Sequence, residues 1–229
     1  MKHIVLLGDS IFDNSPYVDH DELDVPNQLR TLVKGDCKVT HLAVDGHVIS
    51  DIRNQLRNLP SDTTHLFVSV GGNDGLGHLS IFNKPVDTIG KALQKMYLIG
   101  ESFQKNYSEM VDLLLSHNLP TIFCSIYYPR FHSRSLNRVV SYLPMMANGE
   151  TIQQMAMAAE TIFNDAITYE VFKRKLPLID LRVLCDKDED FANPIEPSCI
   201  GGMKIANRIK EITMNNDFVN NNNYNAVYS

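Results

Sequence analysis

At 229 residues, the chain has the length of one α/β domain rather than two small ones. Hydrophobic residues at 44% and charged residues at 21% give an ordinary globular balance. A net charge of −6 with no basic stripe argues against a nucleic-acid partner, whose phosphates are held chiefly by Lys and Arg. No apolar run approaches the ~20 residues of a transmembrane segment. The basic cluster Lys173-Arg174-Lys175 falls where a helix should end, and there it favours the negative end of the helix dipole.

Short β-rich apolar runs alternate with amphipathic segments. The first strand is read over His3 to Leu7; its apolar part, Ile4 to Leu7, is too short for the core of a secretory signal, so a reducing cytoplasm is the default expectation. Helical spacing follows from Asp24 to Val33, with Val25, Leu29, Leu32 and Val33 on one side. A second strand covers Val39 to Val44, a second helix Ile49 to Leu59, and a third strand Leu66 to Val70. A long helical region from about Thr88 to His117 is expected to break near Gly100. Thr121 to Ile126 is a fourth strand, Thr151 to Arg174 another long helix, Pro177 to Leu181 a fifth strand, and Ser198 to Thr213 the last helix. Residues 1–214 are thus read as one α/β/α domain on a mainly parallel five-stranded sheet. The Asn-rich stretch 215–229 is read as a flexible tail.

Right-handed crossovers put every strand-to-helix loop on one edge of such a sheet, where ligands bind. Three of those loops carry residues of interest. The first strand ends in Gly8-Asp9-Ser10-Ile11-Phe12-Asp13-Asn14, which exposes Ser10 where a nucleophile is needed. The second leads to Ala43-Val44-Asp45-Gly46-His47, where Gly46 can present its N–H; the third ends in Ser69-Val70-Gly71-Gly72-Asn73-Asp74, where Asn73 can aim an amide. Each loop taken alone reads equally as a plain turn or cap. Taken together they supply a nucleophile and three oxyanion donors, the requirement of acyl transfer.

At these residues the sequence resembles the SGNH (GDSL-type) hydrolases. The resemblance runs from Lys2 to about Ile212 and rests on GDSIFDN and SVGGND. It implies a flavodoxin-like three-layer fold and a serine hydrolase that cleaves ester, thioester or acetyl bonds through an acyl-enzyme, on a small-molecule or lipid-like substrate. The family completes its site with an Asp-x-x-His pair before the last helix. This chain instead reads Ala192-Asn193-Pro194-Ile195-Glu196-Pro197-Ser198, with Asn193 in the aspartate's place and Glu196 in the histidine's, as in a variant subgroup.

Unperturbed Glu is about two pKa units less basic than His, roughly 3 kcal/mol of missing driving force unless burial raises it. Glu196 is therefore read either as a general base held by Asn193 or as an acid at the start of the last helix. His47, His78 and His132 follow strands two, three and four; His47, beside Gly46, is the first alternative base. The lost Asp-x-x-His leaves a second reading open, a weak or inactive relative that binds a small acyl or glycosyl ligand. No cofactor is expected. Cys37, Cys124, Cys185 and Cys199 have no zinc spacing, and Asp19 to Asp24 has no fixed ligand spacing, so no metal is expected either.

Overall fold

The computed structural model describes residues 1–131, 149–215 and 226–228. The first strand, β1 (Lys2–Gly8), organises the rest. Its side chains alternate between faces, as a strand's must. Ile4 and Leu6 enter one apolar core with Val25, Leu29, Ile205 and Ile209; Val5 and Leu7 enter a second with Ile52, Phe103, Val111 and Ile167. All four β1 residues are completely buried, which is why the strand reads as an unbroken apolar run.

Two layers of helices follow from that alternation. On the first face lie α1 (Val25–Leu32) and α7 (Cys199–Asn215); on the second lie α2 (Ile52–Leu56), α4 (Ile89–Leu115) and α5 (Gly149–Lys173). The start of α1 is set by Asp24, whose carboxylate accepts the Asn27 N–H at 2.9 Å, with Pro26 in the first turn. The short α3 (Gly72–Leu76) and α6 (Leu181–Leu184) complete the helices labelled here. The break expected near Gly100 is absent: α4 runs unbroken through it. A Cβ at Gly100 would lie 2.6 Å from Ile162 Cγ2, so the glycine serves close packing of α4 on α5 rather than a bend.

The sheet has the order β2-β1-β3-β4-β5-β8, all parallel, with β2 at Cys37–His41, β3 at His65–Ser69, β4 at Thr121–Cys124 and β5 at Leu178–Ile179. Chain order reverses at β1, whose neighbours are β2 and β3, and a crevice opens there beyond the strand ends. Six strands replace the expected five. The extra one, β8 (Val227–Tyr228), comes from the Asn-rich C-terminus and satisfies the open edge of β5: Leu178 N–H donates to Ala226 O at 3.0 Å and Asp180 N–H to Tyr228 O at 2.8 Å. Outside the sheet, β6 (Phe191–Asn193) and β7 (Glu196–Pro197) form a small antiparallel hairpin just before α7. No helix among the described residues is long and apolar enough to cross a membrane.

Candidate active site

Ser10 stands two residues beyond β1, in a turn made by unusually close strands. Gly8 adopts φ +136°, and a Cβ there would fall 1.8 Å from the Ser69 carbonyl oxygen, so only glycine fits. Asp9 N–H donates to that carbonyl at 3.1 Å, and Asp9 Oδ1 accepts the Ile11 N–H at 3.2 Å. Gln55 of α2 clamps the other side: its Oε1 accepts the Gly8 N–H at 2.8 Å and its Nε2 donates to Gly8 O at 2.7 Å.

The segments carrying Gly46 and Asn73 are tied to this turn. Asp13 accepts the Asp45 N–H at 2.8 Å, and Tyr17 O–H donates to Asp45 at 2.8 Å, which joins the loops after β1 and β2. Gly46 sits in the second of these at φ +81°, the left-handed region that favours glycine. Asn73 Nδ2 donates to His47 O at 3.0 Å, and Asp74 accepts the Ile49 N–H at 3.1 Å, which joins the loops after β2 and β3. One Asn73 amide hydrogen is thereby used and a second is left. Neither the Ser10 nor the Gly46 N–H has an acceptor among the described residues.

The hairpin of β6 and β7 brings Glu196 to the serine. Asn14, fully buried, donates to Pro197 O at 3.1 Å and accepts the Val25 N–H at 2.8 Å, so the GDSIFDN segment holds the hairpin directly. From the other side Tyr127 O–H donates to Ile195 O at 2.7 Å and Arg130 N–H to Pro194 O at 2.8 Å. Ser198, not Glu196, caps α7, its hydroxyl accepting the Ile200 and Gly201 N–H groups at 3.2 Å. Ser10 and Glu196 are each 6% exposed. Desolvation pushes the Glu196 carboxyl up to about 8; the nearby Ser10 hydroxyl works against this, while the charges of Asp9 and Asp45 add to it. Burial also raises Asp9, to about 7, with the Ile11 N–H opposing and Asp74 adding. Glu196 Oε2 is buried with no hydrogen-bond partner among the described residues.

The remaining expected residues lie as follows. Asn193 faces Glu196 across the hairpin, but its carboxamide oxygen accepts the Ile195 N–H at 3.0 Å; it shapes the turn that presents Glu196. The His47 ring lies 2.9 Å from Gln55 Nε2 through Nδ1, and it is not among the residues lining the cavity at Ser10. His78 is on the cavity rim, and His132 lies outside the described residues. Among the described residues no cluster of His, Cys, Asp and Glu is arranged to hold a metal ion. Cys124 is a buried strand residue, as read from its apolar run.

A cavity of about 120 Å³ opens beside Ser10, Asn73 and Glu196. Its wall is mostly apolar, including Leu79, Phe82, Ile99, Phe131 and Phe163, and besides Asp9 and Glu196 a third carboxyl, Glu160, lines it from α5. Neither Glu160, Gln55 nor Asn14 was singled out as a site residue from sequence. The GDSIFDN block contained Asn14, but nothing in the pattern said which loop it would hold.

Solved structures match the fold over nearly the whole length of the chain. An extracellular lipase from Streptomyces rimosus superposes with a TM-score of 0.61 at 12% identity, covering 89% of this chain and 96% of that one. A GDSL-like lipase from Bacteroides thetaiotaomicron does so with a TM-score of 0.56 at 12% identity, covering 92% and 86%. The fold is that of the GDSL-type lipases and esterases. An acetyl xylan esterase shares the GDSL-type fold as well, with a TM-score of 0.61 at 16% identity over 93% of this chain and 100% of that one. No protein-family model matches the chain, and no match was found among curated proteins. Within the GDSL-type fold, Ser10 and Gly46 stand on the loops after β1 and β2, and Asn73 stands in the first turn of α3, directly after β3.

Proposed function

We propose that the chain is an SGNH-type serine hydrolase of carboxylic esters in which Glu196 takes the place of the histidine base. The observation that carries this reading is the buried pairing of Ser10 with Glu196 beside an apolar cavity, with the Glu196 carboxyl pushed up to about 8. Burial thus closes the gap of about two pKa units that separates an ordinary Glu from His. In its ionised form the carboxylate accepts the Ser10 proton as Oγ attacks the ester carbonyl, and a bond forms between Oγ and the acyl carbon. The Ser10 and Gly46 N–H groups and the Asn73 amide receive the oxyanion. The intermediate collapses with departure of the alcohol, which takes its proton from Glu196. Water, deprotonated by Glu196, then releases the acid and restores Ser10.

The raised pKa has a direct consequence. The base form exists above about 8, so the acylation rate rises with pH and reaches its plateau on the alkaline side. The apolar wall supports an acyl chain as the occupant of the cavity, in keeping with a lipid-like or other amphiphilic ester. The test is a chain-length series of p-nitrophenyl esters on wild type and Ser10→Ala. The reading predicts hydrolysis by the wild type, lost in the variant together with fluorophosphonate labelling of Ser10. Equal hydrolysis by Ser10→Ala would remove the nucleophile assignment.

A further inference from the structure

The reaction above uses Glu196 alone of the three cavity carboxyls; Asp9 is engaged in the Ser10 turn, which leaves Glu160. Glu160 lines the cavity from α5, among Ala156, Ala159 and Phe163. Its direction is fixed by Asn164, one helical turn on, whose Nδ2 donates to the Glu160 carboxylate oxygen Oε1 at 3.1 Å. Asn164 is itself fully buried and clamped to the loop after β4: its Oδ1 accepts the Ile126 N–H at 2.9 Å and its Nδ2 donates to Ile126 O at 2.8 Å. The second Glu160 oxygen, Oε2, makes no hydrogen bond among the described residues. A polar group is therefore held in a set direction on a mostly apolar wall, with bonding capacity unspent.

We propose that Glu160 forms a subsite for a hydroxyl group on the substrate, so that the cavity selects a hydroxylated ester over its plain alkyl counterpart. This rests on the ester-hydrolase reading. Burial pushes the Glu160 carboxyl up to about 9, with the Asn164 hydrogen bond and Arg182 opposing, so near neutrality it is a carboxylic acid that both donates and accepts. A hydroxyl matches both capacities. A plain alkyl chain displaces water from the carboxyl and returns no hydrogen bond, a loss that a site built around a polar group turns into selectivity.

The experiment compares ethyl hexanoate with ethyl 3-hydroxyhexanoate and ethyl 6-hydroxyhexanoate. Turnover is followed on wild type, Glu160→Gln and Glu160→Leu, and binding of the same esters is measured on Ser10→Ala with and without Glu160→Leu. The expected result is roughly ten-fold or greater preference for one hydroxylated ester in the wild type, carried in KM and in binding. Glu160→Gln retains the preference, because its amide still accepts from Asn164 and still offers a donor. Glu160→Leu abolishes it, in turnover and in binding alike. No preference for either hydroxylated ester, or a preference that survives Glu160→Leu, would overturn the proposal. A loss of turnover on all esters with folding intact would likewise overturn it, since that pattern marks Glu160 as a support for Asn164 alone. Absence of turnover by the wild type, with the binding preference intact, would defeat the hydrolase reading and leave the subsite standing.

Discussion

Asn73 carries the most direct prediction at the scale of single residues. Its amide spends one hydrogen on His47 O and leaves the second for the oxyanion role proposed above, in the cavity that Asn73 lines with Ser10. Asn73→Ala is expected to lower kcat by roughly 10²–10³-fold with little change in KM, because the bond is made chiefly in the transition state. Steady-state kinetics on one ester checks this, and a change confined to KM would mark Asn73 as a ground-state contact. The placement of Ser10, Gly46 and Asn73 along one edge was legible in the sequence because three motifs followed three strands in order, and topology alone sends such segments to one edge. Glu196 was legible only as a slot. The choice between base and helix-start acid depends on desolvation and on Ser198 taking the capping role, and both require the hairpin. Glu160 was hidden altogether, since a lone Glu on a long helix carries no mark of the cavity it faces.

Among the structural elements, the hairpin of β6 and β7 is the part on which the site depends. Asn14 makes two buried hydrogen bonds, one to Pro197 O of the hairpin and one from Val25 N–H of α1. Asn14→Ala leaves both backbone groups unsatisfied, a destabilisation of about 1–3 kcal/mol for each. Activity is expected to fall further than stability accounts for, since Glu196 loses its support; a variant with wild-type kcat and a lowered melting point would show that the hairpin holds without Asn14. The packing of α4 on α5 gives a second prediction at this scale. Gly100→Val drives side-chain atoms into Ile162 and should cost about 1–3 kcal/mol by overpacking. A shifted denaturant midpoint at unchanged slope checks it; an unshifted midpoint would mean that the two helices separate freely. The sequence suggested a break at Gly100 because glycine weakens helices, whereas the reason for the glycine lies on the partner helix. For β8 the signal was absent: Val227 and Tyr228 are two β-formers beside an Asn-rich run, and only the unpaired edge of β5 gives them a place.

For the whole molecule, three cavity carboxyls held above their usual range make stability depend on pH, and burial of Asp74, which raises it too, acts in the same direction. Asp9, Glu196 and Glu160 rise to about 7, about 8 and about 9 in the folded chain, in each case chiefly by burial. Unfolded, all three ionise near 4, so the folded chain binds more protons and its stability falls as pH rises through the folded values. The melting temperature is therefore expected to decrease from pH 7 to pH 9, and Glu160→Gln with Glu196→Gln should flatten the decrease. A melting temperature that climbs across that window would contradict the burial assigned to these groups. The fold class itself was readable in advance, because buried parallel strands and amphipathic helices alternate in the sequence with periods set by backbone geometry.

The central claim is that a buried glutamate does a histidine's work, and the pH profile of kcat/KM tests it most directly. One ester is assayed on wild type, Glu196→Gln and His47→Gln across the range from pH 5 to 10. The account predicts a wild-type kcat/KM that rises through an apparent pKa near 8, a His47→Gln profile of the same shape, and a Glu196→Gln protein that stays folded with almost no turnover. A Glu196→Gln protein that keeps its rate, beside a His47→Gln protein that loses it, would contradict the account and pass the base to the imidazole after β2.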